Sequence, residues 1–223
     1  MSYYQKIYDR LRSYGLTQAG ALALLGNWEC ESNCEPNRLQ GDFSPYRTAS
    51  KNYVRDVTNG TISRQQFGND QKGFGIYQLT YPSRKLGYYD YWKSSGKALD
   101  DPILQTDYAI KEMPTEAPGL LQELKTSNDL YQCVDDVCRK FERPYYNNVQ
   151  QRFDAAERIA KMIDLDGGGD TPDPDPDPDP EPRAWPPRTI DREHCTGWTE
   201  ITAEVIWHSG SWRHSVWYRS ISM

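Results

Sequence analysis

Hydrophobic residues recur at helical spacing in several stretches of the first 165 positions. "YYQKIYDRLRSYG" predicts a short amphipathic helix that ends at Gly15. "LTQAGALALLGNWECES" predicts a second helix, with Thr17 as its N-cap and with Asn33 and Pro36 marking its end. Three further helices are predicted from the segments "DPILQTDYAIKEM", "LYQCVDDVCRKFE" and "NVQQRFDAAERIAKMI". The pattern therefore indicates a mostly helical unit.

A polar stretch, residues 40–72, interrupts this pattern and is rich in Gly, Asn, Asp and Ser. Its composition predicts loops with a short hairpin. The segment "GFGIYQLT" that follows either closes such a hairpin or begins another helix. The expected fold class is therefore mostly α with a small β part (α+β).

The segment "TPDPDPDPDPEP", residues 171–182, predicts a spacer. Proline at every second position removes amide donors and favours an extended backbone, and the alternating acids repel one another. "DGGGD" immediately before it supplies a flexible joint. We therefore divide the chain into residues 1–165, a helical domain, residues 166–183, a linker, and residues 184–223, a small tail.

The tail is rich in tryptophan. The segment "TEITAEVIWHSGSWRHSVWYRSIS" predicts two short strands around a Ser-Gly turn. About forty residues are few for an independent fold. The tail is therefore expected to be a reduced binding module or to need a partner chain. Its five tryptophans are Trp185, Trp198, Trp207, Trp212 and Trp217.

Charge and hydropathy exclude some classes of partner. The net charge of -6 arises from the linker, because residues 166–182 carry seven acids and no base, and the rest of the chain is close to neutral. No basic stripe is present, so nucleic acid is not an expected partner. No apolar run is long enough to span a membrane, and the N-terminus has no secretory signal.

Histidine placement restricts the chemistry of the helical domain. The three histidines, His194, His208 and His214, all lie in the last thirty residues. The helical domain therefore cannot use a Cys-His or Ser-His pair or a histidine-bound zinc, and carboxylates remain as acid and base. With Cys195, the histidines match no familiar zinc pattern, so no metal and no cofactor are predicted.

Five cysteines, an odd number, favour free thiols. The pairs Cys30–Cys34 and Cys133–Cys138 are nevertheless close enough in sequence to be oxidised after release from the cell.

Three glutamates, Glu29, Glu31 and Glu35, lie within "GNWECESNCEPN". At about 100° per residue, Glu29 and Glu31 flank the apolar face of the second helix at similar angles. Glu35 follows the helix, beside Pro36. Helical geometry alone therefore does not select one of them, and each could be a solvated carboxylate at a helix end.

The same segment resembles the catalytic segment of the phage tail lysozyme family, which is related to goose-type lysozymes and soluble lytic transglycosylases. Gly26-Asn27 and Glu31-Ser32 match its Gly-Asn, three residues, Glu-Ser pattern, and residues 33–35 depart from it where the family often has a glycine. "GFGIYQLT", "SRKL", "QTDYAIKEM", "FERP" and "RFDAAERIA" then match further motifs in the family's order. The resemblance covers roughly residues 10–162.

This resemblance selects Glu31 as the acid that protonates the leaving oxygen of a glycan. A neighbouring apolar surface from Leu24 and Trp28 would help Glu31 to hold its proton, as apolar surroundings do for the acid of lysozymes. The resemblance also places Gln78 against a sugar. We expect three more residues to contact substrate: Tyr77, Thr80 and Tyr108.

A second carboxylate is needed for hydrolysis, and goose-type relatives carry an aspartate shortly before the glycine-aromatic-glycine motif. Asp70 lies near that position, about one residue away from the relatives' spacing. Asp42 and Asp56 are alternatives, and Asp70 could instead be only a turn residue. Without a second carboxylate, the enzyme would be a lytic transglycosylase, in which the sugar's own hydroxyl group attacks.

The expected function is therefore a muramidase of the phage endolysin type, acting on bacterial peptidoglycan. Its expected location is the host cytoplasm before release to the cell wall, or the virion. The tail would contact a cell-wall polymer. The alternatives are a lytic transglycosylase of the same fold and a non-catalytic tail or wall-binding protein.

Overall fold

The computed structural model describes residues 3–166 and the backbone of two strands, Ala203–His208 and Ser211–Val216. Contacts divide the chain into two compact units, residues 1–173 and 174–223, and each is described by itself. The boundaries of the predicted linker, 166 and 183, stay predictions because most of that segment lies outside the described residues.

The first unit is mostly helical, which confirms the predicted fold class. Its described residues form nine α-helices and one π-helix. The α-helices are α1 (Tyr3–Ser13), α2 (Gln18–Ser32), α3 (Thr48–Thr58), α4 (Arg64–Asn69), α5 (Pro82–Ser95), α6 (Pro102–Glu116), α7 (Leu120–Thr126), α8 (Leu130–Asp136) and α9 (Val149–Ala160), and the π-helix is Val137–Glu142.

Helix α2 is the centre of this unit and is buried from Ala19 to Trp28. The predicted cap is present, because the Thr17 hydroxyl accepts the Gly20 amide at 2.9 Å. Apolar residues on every side allow α2 to pack on α1, α7, α8 and α9, with α9 as its most extensive neighbour. Apart from Gln18 at its start, only the C-terminal end of α2, at residues 29–31, keeps some exposed surface.

Residues 40–72 contain loops, as predicted, but the predicted short hairpin does not form within them, and two helices, α3 and α4, form there instead. Only Ser50, Tyr53 and Val57 of α3 are buried, a narrow stripe that the polar composition conceals. Helix α4 begins with a capping box between Ser63 and Gln66.

Helices α5 and α7 were not predicted. Helix α5 buries Arg84 and Lys85 together with Tyr88 and Trp92, so its sequence has no continuous apolar stripe. Charged residues on a buried helix face interrupt the apolar pattern that predicts an amphipathic helix. The partners that neutralise these charges come from other segments of the chain, so the local sequence does not show them.

The segment "GFGIYQLT" forms a tight turn and does not begin a helix. Phe74 pairs with Leu79 at one end of the turn and with Leu39 beyond it. Gly75 and Gln78 have φ angles of 81° and 49°, in the left-handed region. This turn is the small β part of the described first unit.

The segment "LYQCVDDVCRKFE" begins as helix α8 and continues as the π-helix. The π-helix ends at Arg143, whose φ of 49° turns the chain away. This change in helical pitch alters the directions of Phe141 and Glu142 relative to a continuous α-helix.

The second unit contains an antiparallel pair of strands, β1 (Ala203–His208) and β2 (Ser211–Val216). Their register pairs Ala203 with Val216 and His208 with Ser211. This confirms the two predicted strands, and the residues of the predicted Ser-Gly turn lie outside the described ones.

Candidate functional site

The C-terminal end of α2 is built on a close crossing with α9. A side chain at Gly26 would place its first carbon 2.4 Å from the Arg152 carbonyl oxygen, so only glycine allows this approach. At the next residue, Asn27 Oδ1 accepts a hydrogen bond from Arg152 Nη1 at 3.1 Å, and Asn27 Nδ2 donates one to Ala23 O at 2.8 Å. The Gly-Asn motif therefore fixes the position of Arg152.

Glu31 lies one turn further along α2 and accepts a hydrogen bond from Arg152 Nη2 at 2.7 Å. The Arg152 side chain is 6% exposed, whereas that of Glu31 is 22% exposed. The carboxyl group of Glu31 is thus held by a buried cation while part of the side chain stays accessible. Leu24 and Trp28 are buried, as expected, but the sequence analysis did not anticipate the arginine beside Glu31.

Ser32 joins the end of α2 to the "GFGIYQLT" turn, because its hydroxyl donates to Ile76 O at 2.6 Å. Asn33 and Cys34 then adopt φ angles of 58° and 52°, which end the helix and redirect the chain. The Glu-Ser motif therefore combines an accessible carboxylate with the residue that anchors its surroundings.

The other two glutamates of this segment bind elsewhere. Glu29 accepts the Tyr4 hydroxyl at 2.7 Å, and Glu35 pairs with Arg47 at 2.7 Å. Both contacts link α2 or the chain just after it to neighbouring segments. Their geometry explains Glu29 and Glu35 as structural residues.

A further glutamate, Glu142, lies beside the Glu31–Arg152 pair. Its Oε1 accepts a hydrogen bond from Trp28 Nε1 at 3.0 Å. The carboxyl group is surrounded by protein atoms, whereas the residue as a whole is partly exposed to solvent. Burial, and then the negative charge of Glu31, raise the pKa of Glu142 to about 8. Its surroundings therefore favour the protonated form of this carboxyl group.

Arg84 and Glu112 extend the same buried region. Arg84 Nε donates to Glu112 Oε1 at 3.0 Å, and its guanidinium lies over the Phe141 ring at 4.6 Å. Burial raises the pKa of Glu112, and the pairing with Arg84 opposes that shift. The "SRKL" and "QTDYAIKEM" motifs are thus joined by an ion pair.

Asp70 is held by three donors. Its carboxylate accepts the Tyr53 hydroxyl, the Lys85 ammonium and the Lys72 amide, the last at 3.0 Å. The Lys85 side chain is fully buried, and this burial lowers its pKa against the opposing effect of Asp70. These contacts favour a structural role for Asp70, and the prediction that it is the second carboxylate stays a prediction.

The two alternative aspartates also have local partners. Asp42 is buried and accepts the Ser50 amide at 2.8 Å and the Ser50 hydroxyl at 2.7 Å, which lower its pKa. Asp56 pairs with Arg55 at 2.9 Å on an exposed helix face. Neither has a contact with Glu31.

Gln78 is half-buried and supports the turn in which it lies. Its amide nitrogen donates to Gly75 O at 3.0 Å and to Arg38 O at 3.3 Å. Its carbonyl oxygen accepts no hydrogen bond from the described residues, so it can still receive one from a ligand. Thr80, also half-buried, donates to Gln78 O at 2.8 Å.

Tyr77 and Tyr108, both expected to contact substrate, lie in the core with 2% and 6% of their surface exposed. The Tyr77 ring packs between Trp28 and Phe141, and the Tyr108 hydroxyl donates to Arg84 O at 3.0 Å. In this conformation neither ring offers a face to a sugar. Both instead position residues of the buried ionic cluster.

Exposed aromatic rings occur on two segments, one tied to Glu35 and one that follows Glu142 in the chain. Phe43 and Tyr46 are 84% and 77% exposed on the loop that Arg47 ties to Glu35. Tyr145 and Tyr146 are 92% and 79% exposed and follow Glu142 closely in the chain. Rings exposed to this extent are suited to stacking on sugar faces.

The sequence analysis assigned no role to Arg152 or Glu142, although it quoted the motifs "RFDAAERIA" and "FERP" that contain them. A signal was present, because a charged residue within an apolar helix face or beside a buried aromatic residue needs a partner. The sequence did not identify that partner as Glu31.

Among the described residues, no group of three or more His, Cys, Asp and Glu side chains could hold a metal ion. Cys30, Cys34, Cys133 and Cys138 are free thiols there. The zinc alternative in the tail concerns side chains that lie outside the described part of the chain.

No helix in the described residues combines the length and apolar composition that a bilayer crossing requires.

Comparison with protein-family models gives one family. No curated protein matches the chain. The family model for phage tail lysozyme matches residues 2–163, which include every residue of the site described above. The chain therefore belongs to the phage tail lysozyme family.

Proposed function

We propose that the protein is a muramidase that cuts the β-1,4 bond from N-acetylmuramic acid to N-acetylglucosamine in bacterial peptidoglycan. Glu31 would be the general acid. The observation that carries this proposal is the placement of Glu31, a partly exposed carboxyl group held by the buried Arg152 at 2.7 Å. Membership in the phage tail lysozyme family supports peptidoglycan as the substrate.

Cleavage requires a protonated carboxyl group at the leaving oxygen. The anchoring of Arg152 by Asn27 and of Ser32 by Ile76 limits the positions that the Glu31 side chain can adopt. A fixed acid lowers the entropic part of the barrier, because the reacting groups are already oriented. Glu31 would donate its proton to the leaving sugar as the glycosidic C–O bond breaks.

A glycan strand needs a binding surface around this acid. The exposed rings Phe43, Tyr46, Tyr145 and Tyr146 supply stacking faces, and the carbonyl oxygen of Gln78 supplies an acceptor for a sugar hydroxyl or amide. Thr80 supports Gln78 through the backbone. Substrate binding by Gln78 and Thr80 is thus part of the proposal, with Tyr77 and Tyr108 as supporting residues behind them.

A lytic transglycosylase of the same fold is the second candidate. It is favoured by the contacts of Asp70, whose carboxylate is occupied by Lys85, Tyr53 and the Lys72 amide. An aspartate held in this way is poorly placed to activate water. In that case the muramic acid's own hydroxyl group would attack, and a single carboxylic acid would suffice.

The layout of the chain favours an endolysin over a virion component. One helical domain, an acidic proline-rich spacer and a tryptophan-rich tail would be an enzyme joined to a separate binding module. In this proposal the enzyme is made in the host cytoplasm and then reaches the wall, where the tail contacts a wall polymer. Pull-down of the tail on a fluorescent carrier with purified walls tests the binding role.

Lysis assays with Glu31→Gln and Glu29→Gln test the central part of the proposal. The two variants make the same chemical change, two residues apart on one helix. We expect Glu31→Gln to fold normally and to lose about 10²–10⁴-fold in the rate of wall clearing, the usual contribution of a general acid. Glu29→Gln should keep most of its activity, because Glu29 accepts the Tyr4 hydroxyl of α1, whereas Glu31 is the residue bound by Arg152.

Two results would contradict the proposal. One is an active Glu31→Gln enzyme together with an inactive, folded Glu29→Gln enzyme. The other is a wild-type protein that binds walls but produces no clearing zone in a zymogram, which would support the non-catalytic alternative.

A further inference from the structure

Glu142 is a buried carboxyl group that the cleavage step above does not use. It is the last residue of the π-helix, and the left-handed Arg143 turns the chain immediately after it. Short π-helical segments are frequent at functional sites, because they redirect a side chain that an α-helix would aim elsewhere. Here the redirected carboxyl group reaches Trp28 Nε1, on the same helix as Glu31 and one turn before it.

The buried region around Glu142 contains more acids than bases. Its three carboxyl groups belong to Glu31, Glu112 and Glu142, and its two guanidinium groups belong to Arg84 and Arg152. Each arginine already has one carboxylate partner. Among the described residues, Glu142 has no ion pair, and its one hydrogen bond comes from the indole of Trp28.

Charge balance in this region therefore requires one proton. Full ionisation would leave an uncompensated negative charge among buried groups, which is strongly unfavourable. A single proton on either Glu31 or Glu142 makes the cluster neutral. Carboxyl groups coupled in this way titrate as a pair and not as independent sites.

We propose that Glu142 is a positioning residue that shares one proton with Glu31, so that Glu31 can be protonated at neutral pH when substrate is bound. In the resting arrangement Glu31 pairs with Arg152 and Glu142 holds the proton. In the working arrangement the proton is on Glu31, and ionised Glu142 balances the charge of Arg152. This inference rests on the proposed role of Glu31 as the acid.

The proton balance is complete within the hydrolytic reaction. Glu31 gives its proton to the leaving sugar oxygen when the glycosidic C–O bond breaks. The water molecule that forms the new bond to the anomeric carbon releases a proton, and this proton restores the Glu31–Glu142 pair. Arg152 stays protonated throughout, because a guanidinium group does not lose its proton in this pH range.

Several charged or titratable groups face Glu142 and must be considered in any pH effect. They are Glu31 of α2, Arg84 of α5, Arg152 of α9 and Cys138 of its own π-helix. Glu112 of α6 acts through its pair with Arg84. Glu116, by contrast, pairs with Arg143 at 3.0 Å and adds no net charge.

The test compares pH–rate profiles of wild type, Glu142→Gln and Glu116→Gln on purified walls. Glu142→Gln leaves two acids and two bases in the cluster, so Glu31 would face Arg152 without a competing negative charge. We expect its alkaline limb to move to lower pH by about one unit or more, since the coupling of such a pair exceeds about one pK unit. Activity should recover at acidic pH, which a purely structural defect would not allow.

Glu116→Gln is the matched control, because it makes the same change beside the residue that follows Glu142. Its profile should match that of the wild type. A Glu142→Gln profile that also matches wild type, or a folded Glu142→Gln enzyme with equal loss at every pH, would overturn the inference. If Glu31→Gln remained active, the proposed function itself would fail instead.

Infrared spectroscopy at neutral pH supplies a readout that does not depend on activity or on the folding of Glu142→Gln. The carbonyl band of a buried protonated carboxyl group should be present in wild type. It should disappear in Glu31→Gln, because that cluster is neutral without a proton. Absence of the band in wild type, or its persistence in Glu31→Gln, would overturn the inference.

Discussion

Two consecutive residues of α5, Arg84 and Lys85, enter two different buried ionic clusters. Lys85 pairs with Asp70, and Tyr53 donates to the same carboxylate, so this cluster contains one acid and one base. Arg84 enters the cluster of Glu31, Glu112, Glu142 and Arg152, in which acids outnumber bases. The two clusters thus have similar burial but a different charge balance.

This difference separates a structural pair from a site that can transfer a proton. A balanced pair is most stable when both partners are ionised, so its carboxylate holds no proton. An unbalanced cluster must hold a proton in a place where burial already disfavours charge. The comparison therefore favours a packing role for Asp70 and supports the proposal that the chemistry takes place near Glu31.

Asp70→Asn should cause the largest loss of stability, because it leaves the fully buried Lys85 ammonium without its anion. Breaking a buried ion pair by removing one partner costs about 3–5 kcal/mol. Denaturant unfolding measures this loss. The double variant Asp70→Asn/Lys85→Met should regain most of the stability, because no charge remains buried.

The same double variant decides whether Asp70 also has a catalytic role. If Asp70 is structural, the double variant should lyse walls at a rate near that of the wild type. A well-folded but inactive double variant would instead support Asp70 as the second carboxylate, and the comparison of the two clusters would fail.

The pH dependence of stability should be the next largest effect. Glu142 keeps its proton in the folded protein up to about pH 8, whereas an unperturbed glutamic acid loses it near 4.5. Between these values the folded state binds more protons, so this group's contribution to stability is complete below that window and is lost as pH rises through it.

The expected slope approaches about 1.4 kcal/mol per pH unit for one proton. Urea unfolding of wild type and Glu142→Gln across this window, from roughly pH 4.5 to pH 8, measures how steeply the free energy of unfolding of each protein changes with pH. Glu142→Gln should lack the decline in the free energy of unfolding that this group causes as pH rises. Parallel curves for the two proteins would show that the Glu142 carboxyl group is not held neutral.

Gln78→Ala should reduce kcat/KM by roughly 2- to 10-fold, the effect of one lost hydrogen bond to substrate. Gln40→Ala is the matched control, because the exposed Gln40 supports the same turn by accepting the Gly73 amide at 2.9 Å. Gln40→Ala should keep kcat/KM. An equal loss in both variants would show that Gln78 acts only by supporting the turn.

Replacing both Tyr145 and Tyr146 with alanine should give the smallest effect, a several-fold rise in KM with kcat nearly unchanged. Exposed rings contribute to sugar stacking and little to folding. Tyr131→Ala is the control, since Tyr131 is 48% exposed on α8. A fall in kcat without a rise in KM would show that the two rings do more than bind the glycan.

The sequence predicted those features that depend on residues close together in the chain. The Thr17 cap, the apolar α2 and the end of α2 at Asn33 are local, and they place Glu31 at a helix end. The family motifs then favour Glu31 over Glu29 as the acid, and this choice stays a prediction. The helices α3, α4 and α5 were harder to predict, because their buried faces are narrow or contain charges.

The partners of the site residues could not be predicted, because they are distant in sequence. Arg152 lies 121 positions from Glu31, and Glu142 lies 114 positions from Trp28. Periodicity shows that a residue is on a helix face but does not specify what it meets across the core. The same limit applies to Tyr77 and Tyr108, whose aromatic character is equally compatible with a sugar platform and with burial.

Mass spectrometry of glycan fragments from purified peptidoglycan, digested by wild type and Glu31→Gln, tests the central claim most directly. Wild type should produce new reducing N-acetylmuramic acid ends, and Glu31→Gln should produce almost none. Anhydro-muramic ends would identify the lytic transglycosylase instead. New glucosamine ends, cleaved peptides, or the same muramic products from Glu31→Gln would contradict the assignment of Glu31 as the acid of a muramidase.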